Sequence, residues 1–480
     1  MRRTKIVATL GPATDRDEVL EQVLAAGVDV VRLNFSHGEA DEQRRRVAAV
    51  RAAAAKLGRD VGVLMDLQGP KIRIECFRDG PVELEEGASF TLDVSLGTQE
   101  GDRERVGVTY KKLPQDVHAG DTLVLADGQI ALTVDEVDGP RICCRVKSGG
   151  TLSDHKGVNR LGGGLSAETL TDKDREDIKI AAECDCDYLA VSFPRSASDV
   201  ERARRLLRAA GGEASIVAKI ERAEAVENLD AIILASDAVM IARGDLAVEI
   251  GDAPLPGVQK RIVRRARKYD TAVITATQMM ESMVTSPVPT RAEILDVANA
   301  VLDGSDAVML SEETAVGKYP VKVVEAMARV CIGAESDLEL GAASPEEELH
   351  FAQVDQTIAM AAIYVAKHLA VRALVTLTET GATALYMSRV NSEIPVYAFT
   401  RHERTRRRVT LYRNVYPVPF AEDPESAKVV HDVAATLVAR DAVGAEDAIL
   451  LTRGVQSGVS GGTNSLHVVR VADVLGGKRS

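Results

Sequence analysis

The chain contains no tryptophan, and aromatic residues make up only 3% of it. Basic side chains are also outnumbered, with 59 Lys and Arg against 72 Asp and Glu and a formal net charge of -13. Proteins that bind nucleic acid usually carry a basic surface and rings that stack on bases, so this composition argues against such a partner. Small anionic substrates remain compatible with it if positive charge is concentrated at one site.

Cysteines and long apolar runs are scarce as well. The six cysteines have neither the spacing of metal ligands nor that of an extracellular disulfide framework, which is typical of a reducing compartment. No apolar segment reaches the roughly 20 residues that a membrane helix needs. The apolar run near the start is interrupted at Gly11 and Pro12, and no cleavage site follows it. We therefore predict a cytoplasmic protein with no membrane partner.

The sequence is rich in short apolar runs that alternate with amphipathic segments of helical length, a pattern typical of an α/β protein. Eight parallel strands separated by helices would close into a (β/α)8 TIM barrel. The eight runs that predict these strands are IVATL, DVVRLNF, VGVLMDL, YLAVSF, IVAKIE, AVMIA, AVITAT and AVMLS.

Two segments fall outside this alternation. After Asp66, turn signals recur between β-rich runs such as FTLDV and TLVLA, which predicts a small β-barrel domain inserted into the TIM barrel as a lid. The acidic stretch at 344–348 reads as a linker, and the strands and helices predicted after it indicate an open α/β domain at the C-terminus. We assign 1–69 and 168–342 to the barrel, 70–167 to the lid and 343–480 to the C-terminal domain.

The stretch 215–252 carries the strongest functional signal, because it reads as strand, helix, strand with charge only where each strand ends. Lys219 and Glu221 point the same way by the period of two, and Asp245 is predicted to close the next strand just after Gly244. Ionisable groups at the carboxyl ends of barrel strands are typical of a catalytic site. The alternative is that Lys219 reaches solvent and the two acids cap helices. Gly244 favours a site, because backbone amides at a helix start can bind an anion.

A second polar set follows the second predicted strand. Arg32, Asn34 and Ser36 fall on one face of it, and His37 follows in a loop. Each unpaired polar group on a buried strand costs about 1–3 kcal/mol, so this set predicts contact with a ligand. A purely structural role for the three side chains is the alternative.

Three other local patterns allow predictions. Thr14 with Asp17, and Thr290 with Glu293, have the spacing of N-terminal capping boxes. The segment HKGVNRLGGG exposes Lys156 to a ligand, or serves only as a glycine hinge. In the C-terminal domain, TLTETGATA and RGVQSGVSGGTN predict an anion pocket, unless their glycines only turn the chain.

Several of these stretches resemble those of the pyruvate kinase family, and the likeness extends from Lys5 to the last predicted strand. It implies transfer of a phosphoryl group from phosphoenolpyruvate to ADP, giving pyruvate and ATP in the last step of glycolysis. It also implies a homotetramer with an allosteric C-terminal domain. The matching segments are KIVATLGPAT, RLNFSHG, GPKIR, KGVNRLGGG, AKIERAEAVEN, ARGDLAVEIG, TATQMMESM, PTRAEILDVANAV and DAVMLSEETA.

The resemblance implies roles for single residues at the barrel mouth. Glu221 and Asp245 would supply hard oxygen ligands for Mg²⁺ or Mn²⁺. Lys219 would stabilise the transferring phosphoryl group and the enolate, and Thr277 would relay a proton to that enolate. The implied substrate-binding residues are Arg32, Lys219, Gly244, Asp245 and Thr277.

A monovalent cation and a nucleotide are implied by the same resemblance. The expected K⁺ ligands are Asn34, Ser36, Asp66 and the backbone carbonyl of Leu67. The expected nucleotide-binding residues are Asn34, Phe35, Ser36, His37, Arg73 and Lys156.

The residue after Gly69 and Pro70 departs from the family pattern. Lys71 stands where K⁺-dependent relatives carry Glu, so a permanent ammonium replaces a carboxylate. We therefore predict that K⁺ can bind but is not strictly required. The alternative is that Lys71 points into solvent at the lid hinge.

Two further departures concern the loops. Glu379 occupies a position that is basic in some relatives activated by fructose 1,6-bisphosphate, and Ala382 lacks the Arg often found there. A sugar monophosphate or AMP is therefore the predicted effector. Glu312 stands in SEETA where Gly is usual, next to Ser311 at a strand end.

Two other functions are compatible with parts of the pattern. A metal-dependent aldolase or lyase acting on pyruvate or oxaloacetate would also use paired acids and an Arg, but not a nucleotide lid with Arg73 and Lys156. A non-catalytic paralogue that binds metabolites would not need Lys219, Glu221 and Thr277 together.

Overall fold

The computed structural model of the chain describes residues 1–336, 353–390, 392–421, 428–454 and 461–476. The predicted linker at 344–348 lies outside these residues, as does the part of the glycine-rich C-terminal loop at 455–460. All six cysteines lie within them and carry free thiols. Over the described ranges, no helix is both long enough and apolar enough to cross a membrane.

The chain begins with two βα units and a third strand. Gly27 and Gly58, which follow the two helices, have positive φ angles and so allow the chain to turn back towards the next strand. The elements are β1 (Lys5–Thr9), α1 (Asp17–Ala25), β2 (Val30–Asn34), α2 (Ala40–Lys56) and β3 (Gly62–Asp66).

The insertion that follows β3 is a separate β domain with its own apolar core, centred on Phe90, Leu92 and Leu132. Its strands form a six-stranded sheet and a two-stranded sheet. The elements are β4 (Val82–Leu84), β5 (Ser89–Asp93), β6 (Arg105–Gly107), α3 (Leu113–Asp116), β7 (Thr122–Leu125), β8 (Ile130–Asp138), β9 (Arg141–Ser148), β10 (Gly150–Leu152) and β11 (Val158–Arg160), with a 3₁₀ turn at Ala126–Gly128.

The βα alternation then resumes and supplies five more strands. A 3₁₀ turn at Glu281–Val284 lies between the last two of them. The elements are α4 (Asp172–Glu183), β12 (Tyr188–Val191), α5 (Ala197–Ala209), β13 (Ser215–Ile220), α6 (Ala223–Glu227), α7 (Leu229–Ala235), β14 (Ala238–Ala242), α8 (Arg243–Ile250), α9 (Leu255–Lys268), β15 (Ala272–Ala276), α10 (Arg291–Asp303), β16 (Ala307–Leu310), α11 (Glu312–Ala315) and α12 (Pro320–Ser336).

Eight strands close into one barrel, in the order β1-β16-β15-β14-β13-β12-β3-β2, and every neighbouring pair is parallel. Side chains on both faces of these strands are buried, which explains their nearly continuous Val, Ile and Ala content. The TIM barrel with an inserted β domain is therefore confirmed. Since the strands are parallel, all their carboxyl ends meet at one mouth.

The C-terminal domain is an open α/β sheet in the order β19-β18-β17-β20-β21, as predicted. Its first four strands are parallel, whereas the last pairs antiparallel with β20 and forms an edge. The elements are α13 (Val354–His368), β17 (Ala373–Leu377), α14 (Ala382–Ser388), β18 (Val396–Thr400), α15 (Glu403–Val409), β19 (Val415–Pro419), α16 (Val429–Ala439), β20 (Ala448–Gly454), β21 (Thr463–Arg470) and α17 (Val471–Leu475).

One of the two predicted capping boxes is present. Thr290 accepts a hydrogen bond from the Glu293 backbone, and the Glu293 side chain bonds the Thr290 backbone in return. The box predicted at Thr14 is wrong, because α1 is preceded by Arg16 as its N-cap. The Thr14 hydroxyl instead bonds the backbone of Gly11 in a tight turn.

Candidate active site

Lys219 lies at the centre of the barrel mouth, one residue before the end of β13. Its ammonium is 2.9 Å from Glu221 Oε1 and 3.4 Å from Asp66 Oδ1, and it donates a 2.7 Å hydrogen bond to Ser192 Oγ. Burial alone would lower the pKa of Lys219. The carboxylates of Asp66 and Glu221 outweigh this effect and raise that pKa above its ordinary value. With a side chain only 12% exposed, Lys219 is a fixed buried cation and does not reach into solvent.

Glu221 follows the end of β13 and is fully buried. One carboxylate oxygen, Oε2, accepts a 2.8 Å hydrogen bond from the Phe193 backbone, whereas the other, Oε1, is paired with the Lys219 ammonium 2.9 Å away. Burial raises the pKa of Glu221, the Asp245 carboxylate adds to this, and Lys219 offsets only part of it. Two neighbouring carboxylates, one of them buried and only partly compensated by Lys219, are a donor set that fits a hard divalent cation.

No group of three or more His, Cys, Asp or Glu side chains in the described ranges is arranged to hold a metal ion. The donors expected at this mouth are only two carboxylates. Mg²⁺ is commonly held by one or two carboxylates together with water and substrate oxygens. A site with two carboxylates therefore fits Mg²⁺ better than it fits a structural metal ion.

Asp245 was predicted to close a strand, and this prediction is wrong. The strand β14 ends at Ala242, and Asp245 lies in the first turn of α8. Its Oδ1 is 3.0 Å from the Lys71 ammonium, and both side chains are about three-quarters buried. Lys71 therefore points into the site and not into bulk solvent, which excludes the alternative considered from the sequence.

Arg32 and Asp66 form a second buried ion pair next to Lys219. Arg32 Nε is 2.7 Å from Asp66 Oδ2, and its Nη1 donates a 3.0 Å hydrogen bond to Thr9 Oγ1. Asp66 thus faces two cations, one on each oxygen. This arrangement holds the Arg32 guanidinium at the mouth, where it can meet an anion.

The loop that follows β2 differs from the prediction in one respect. The strand ends at Asn34, so Ser36 lies in a turn and not on the strand face. The Ser36 backbone donates a 3.0 Å hydrogen bond to Asn34 Oδ1, and His37 is exposed. Gln43, which the sequence analysis did not single out, donates to the carbonyls of both Asn34 and His37 and fixes the two ends of the turn.

Ser192 and Phe193, just beyond β12, were also missed. Ser192 Oγ accepts from Lys219 and donates to the Leu67 carbonyl at 2.7 Å, while Phe193 supplies the amide that binds Glu221. Phe193 has a φ of 55°, a left-handed conformation that costs on the order of 1–3 kcal/mol in a residue other than glycine. A serine that ends a buried strand gives no distinctive pattern, so periodicity could not have identified it.

Thr277 follows β15 and also has a left-handed backbone, with a φ of 68°. Its hydroxyl donates to the Ala276 carbonyl at 2.7 Å and accepts a 2.9 Å hydrogen bond from the Gly244 amide. The Gly244 amide at the start of α8, which was predicted to be free for an anion, is therefore engaged by Thr277 in this structure.

A cleft between the barrel mouth and the inserted β domain opens to solvent. Arg73 and Lys156 lie on adjoining segments of that domain, since Arg73 pairs with Gly157 and Ile74 bonds the Lys156 carbonyl. Neither lines the cleft. The lining residues include Pro70, Lys71, Asn159, Arg222, Asp245 and Glu249.

The returning segment of the insertion passes through three consecutive glycines with positive φ angles, Gly162, Gly163 and Gly164. The Gly162 amide donates to the Glu249 carbonyl at 2.8 Å, and the Gly164 amide donates to Glu224 Oε1 at 2.7 Å. The glycines therefore turn the chain where it is attached to α6 and α8, and these contacts do not decide between the hinge and a ligand role for Lys156.

In the C-terminal domain, the TLTETGATA segment forms the turn between β17 and α14. Thr378 Oγ1 accepts a 2.8 Å hydrogen bond from the Gly381 amide, and the Thr380 side chain is exposed. Glu379 forms an ion pair with His402 and lies 3.6 Å from Arg401. Its negative charge is thus partly offset within the protein.

Sequence models of one family match two parts of the chain. The model described as "Pyruvate kinase, barrel domain" matches residues 1–324, and the model described as "Pyruvate kinase, alpha/beta domain" matches residues 356–469. The first match contains all the residues at the barrel mouth, and the second covers most of the C-terminal sheet.

Similar proteins match over almost their whole length. "Pyruvate kinase II" of Salmonella typhimurium is 54% identical over 98% of this chain and 99% of its own. "Pyruvate kinase" of Haemophilus influenzae is 51% identical over 95% and 96% of the two chains. That of Mycobacterium tuberculosis is 41% identical over 98% and 99%. On these matches, and with the barrel, the inserted domain and the C-terminal sheet in place, the chain belongs to the pyruvate kinase family.

Proposed function

We propose specific roles for the residues at the barrel mouth in the reaction of this family. As a pyruvate kinase, the chain transfers the phosphoryl group of phosphoenolpyruvate to ADP and gives pyruvate and ATP. The observation that carries the assignment of roles is the cluster of Lys219, Glu221 and Asp66 within ion-pair distance at the carboxyl ends of the strands.

Lys219 acts on charge that develops during transfer. Its buried ammonium stabilises negative charge on the phosphoryl group and on the enolate that remains. Arg32, oriented by Asp66, binds phosphate oxygens. The Thr277 hydroxyl gives a proton to C3 of the enolate and is reprotonated from solvent, which completes pyruvate.

Glu221 and Asp245 hold the divalent cation. When bound there, Mg²⁺ or Mn²⁺ supplies positive charge beside the phosphoryl and carboxylate groups of the substrate. Glu221 Oε1, which is buried and paired with Lys219 but accepts no backbone hydrogen bond, supports this assignment. The backbone at the start of α8 holds the substrate carboxylate beside Gly244, whose own amide donates to Thr277 in this structure.

The nucleotide binds at Arg73 and Lys156 of the inserted domain, which bring positive charge but do not line the cleft itself. The segment Asn34, Phe35, Ser36 and His37 of the barrel completes the nucleotide site. An assay of pyruvate formation from phosphoenolpyruvate, with ADP and Mg²⁺ each present or omitted, tests the assignment. Turnover that does not depend on nucleotide would instead favour an aldolase or lyase.

Glu221→Gln is expected to raise the Mg²⁺ concentration needed for half-maximal activity at least about tenfold, because a neutral amide replaces an anionic ligand. A Mg²⁺ titration of initial rates measures this. Glu227→Gln, an exposed change in the following helix, is the matched control. A titration of Glu221→Gln that matches the parent protein would remove Glu221 from the metal site.

An effector with one phosphate group binds the C-terminal domain. The hydroxyls of Thr378 and Thr380, with nearby backbone amides, can bind a single phosphate, whereas Glu379 disfavours a second one. Thr383 was expected to contribute as well, but it is buried and its hydroxyl is hydrogen-bonded to Thr463. A sugar monophosphate or AMP fits this pattern. In the described part of these loops, the exposed Thr380 side chain supports the proposal.

We expect a sugar monophosphate or AMP to raise the rate at subsaturating phosphoenolpyruvate, and Thr380→Val to raise the activator concentration required about tenfold, since a hydrogen bond to a charged group is lost. Thr357→Val on α13 is the control. Strong activation by fructose 1,6-bisphosphate, with none by monophosphates, would contradict this prediction.

The cytoplasmic protein assembles as a homotetramer through two apolar surfaces. On α10, Ile294 and Leu295 are exposed, and on α13, Val354 and Tyr364 are exposed. Two separate surfaces of this kind support a dimer of dimers. Sedimentation of the parent protein tests the assembly state.

A further inference from the structure

We propose that Arg243 and Asp296 are positioning residues that set the Thr277 hydroxyl for proton transfer. This inference rests on the role proposed above for Thr277. Arg243 is the first residue of α8, and Asp296 lies in the middle of α10. These helices come before and after β15 in the chain, and Thr277 is the residue that directly follows β15.

The Arg243 guanidinium binds two consecutive backbone carbonyls. Its Nε donates to the Ala276 carbonyl at 3.1 Å, and its Nη2 donates to the Thr277 carbonyl at 2.7 Å. These carbonyls belong to the end of β15 and the first residue beyond it, where the chain leaves the extended conformation. The guanidinium thus takes the place of the neighbouring strand as hydrogen-bond donor.

Asp296 orients that guanidinium through both of its oxygens. Arg243 Nη1 is 2.6 Å from Asp296 Oδ1, and Nη2 is 2.7 Å from Oδ2. A bidentate carboxylate fixes the plane of a guanidinium as well as its position. Because Arg243 is buried and its charge is paired with Asp296, it holds the backbone without adding net charge to the substrate pocket.

The backbone that Arg243 holds is in a conformation that it would not adopt alone. Thr277 and Gln278 both have left-handed φ angles, 68° and 54°, and Thr is β-branched. Such a conformation persists only where the surroundings enforce it. Without the guanidinium, the Thr277 carbonyl would lose its donor and the Ala276 carbonyl would keep only the Thr277 hydroxyl, so the turn would relax towards ordinary angles.

Relaxation of the turn would move the hydroxyl. In the observed conformation Thr277 Oγ1 lies 2.9 Å from the Gly244 amide, beside the amides proposed to bind the substrate carboxylate. Proton transfer depends steeply on such placement, and a misplacement of about 1 Å can cost on the order of a hundredfold in rate. Phosphoryl transfer uses Lys219 and the divalent cation, so it should depend much less on Arg243.

Proton exchange at C3 of pyruvate separates these two steps. In D₂O with Mg²⁺ and ATP, the enzyme should remove a methyl proton of pyruvate and return a deuteron, which proton NMR detects as loss of the methyl signal. We expect Asp296→Asn and Arg243→Lys each to slow this exchange about tenfold. The burst of ATP formation from phosphoenolpyruvate in a single turnover should change less than about threefold in both variants. Thr277→Val should slow exchange by about a hundredfold.

Asp303→Asn is the matched control, because Asp303 ends the same helix and pairs with Lys260 outside the site. Circular dichroism and sedimentation establish that the variants fold and assemble as the parent does. Arg243→Lys and Asp296→Asn test the positioning role independently of each other. Parent-like exchange in both variants, with exchange lost in Thr277→Val, would overturn the inference. So would equal losses of exchange and ATP formation, which indicate a general structural role. Parent-like exchange in Thr277→Val would overturn it by removing the proposed role of Thr277.

Discussion

Replacing Lys219 by Met is expected to lower kcat about 10²–10³-fold, the usual cost of removing one preorganised charge that acts on the transition state. The KM for phosphoenolpyruvate should change much less, because Arg32 and the amides at the start of α8 remain to bind the substrate. Steady-state kinetics at saturating Mg²⁺ measure both constants. The saturating metal matters because the change also leaves Glu221 and Asp66 without their shared cation.

The control for this variant is Lys179→Met, which removes an exposed lysine paired with Glu176 far from the strand ends. It should leave kcat unchanged. If Lys219→Met turned over at the parent rate, the role assigned to the buried ammonium would have to be abandoned. If it raised KM with kcat intact, Lys219 would contribute to binding only.

The second large effect is expected at Lys71. We expect the parent protein to be nearly fully active in a buffer whose only monovalent cation is a bulky tetraalkylammonium, and Lys71→Glu to be about a hundredfold slower there, which corresponds to roughly 3 kcal/mol. Potassium should restore the variant. Initial rates with and without KCl at constant ionic strength measure the effect.

The physical reason is the ion pair between Lys71 and Asp245. A fixed ammonium 3.0 Å from a carboxylate at the metal site offsets negative charge that the substrate and the nucleotide increase. The oxygens expected to bind K⁺ are also largely engaged, since Asp66 faces Arg32 and Lys219, and the Leu67 carbonyl accepts from Ser192. Lys71→Glu would place two carboxylates together at that point.

Lys71→Gln separates charge from shape in this experiment. A neutral side chain of similar length should give an intermediate rate without K⁺ and partial restoration with it. A parent protein that shows no activity until K⁺ is added would contradict the assignment, as would a Lys71→Glu variant indifferent to K⁺.

The features of the fold and of the site that depend on hydrophobic periodicity could be predicted from the sequence. Eight apolar runs were enough to predict a closed barrel, and the period of two correctly placed Lys219 and Glu221 side by side. Lys219 lies within a buried strand whose geometry is almost fixed by its pattern, and Glu221 directly follows that strand.

Residues that depend on loop geometry were predicted less well. The spacing of Thr14 and Asp17 resembled a capping box, but the chain turns at Gly11 and starts the helix behind Arg16. Ser192 and Gln43 act through side-chain hydrogen bonds to backbone carbonyls outside their own elements. Such contacts leave no local pattern, because either residue type is common at a strand end or on a helix face.

The insertion between β3 and β12 has a consequence for how the chain folds. These strands are neighbours in the barrel, with Leu64 opposite Tyr188, yet the whole β domain separates them along the chain. Closing a long unfolded loop carries an entropic cost that rises with its length, and barriers of this kind slow the folding of proteins with distant contacts. Once the β domain has formed its own core, its two ends lie together and the loop is effectively short. Early folding of the insertion would therefore speed closure of the barrel, in addition to covering its mouth in the finished protein.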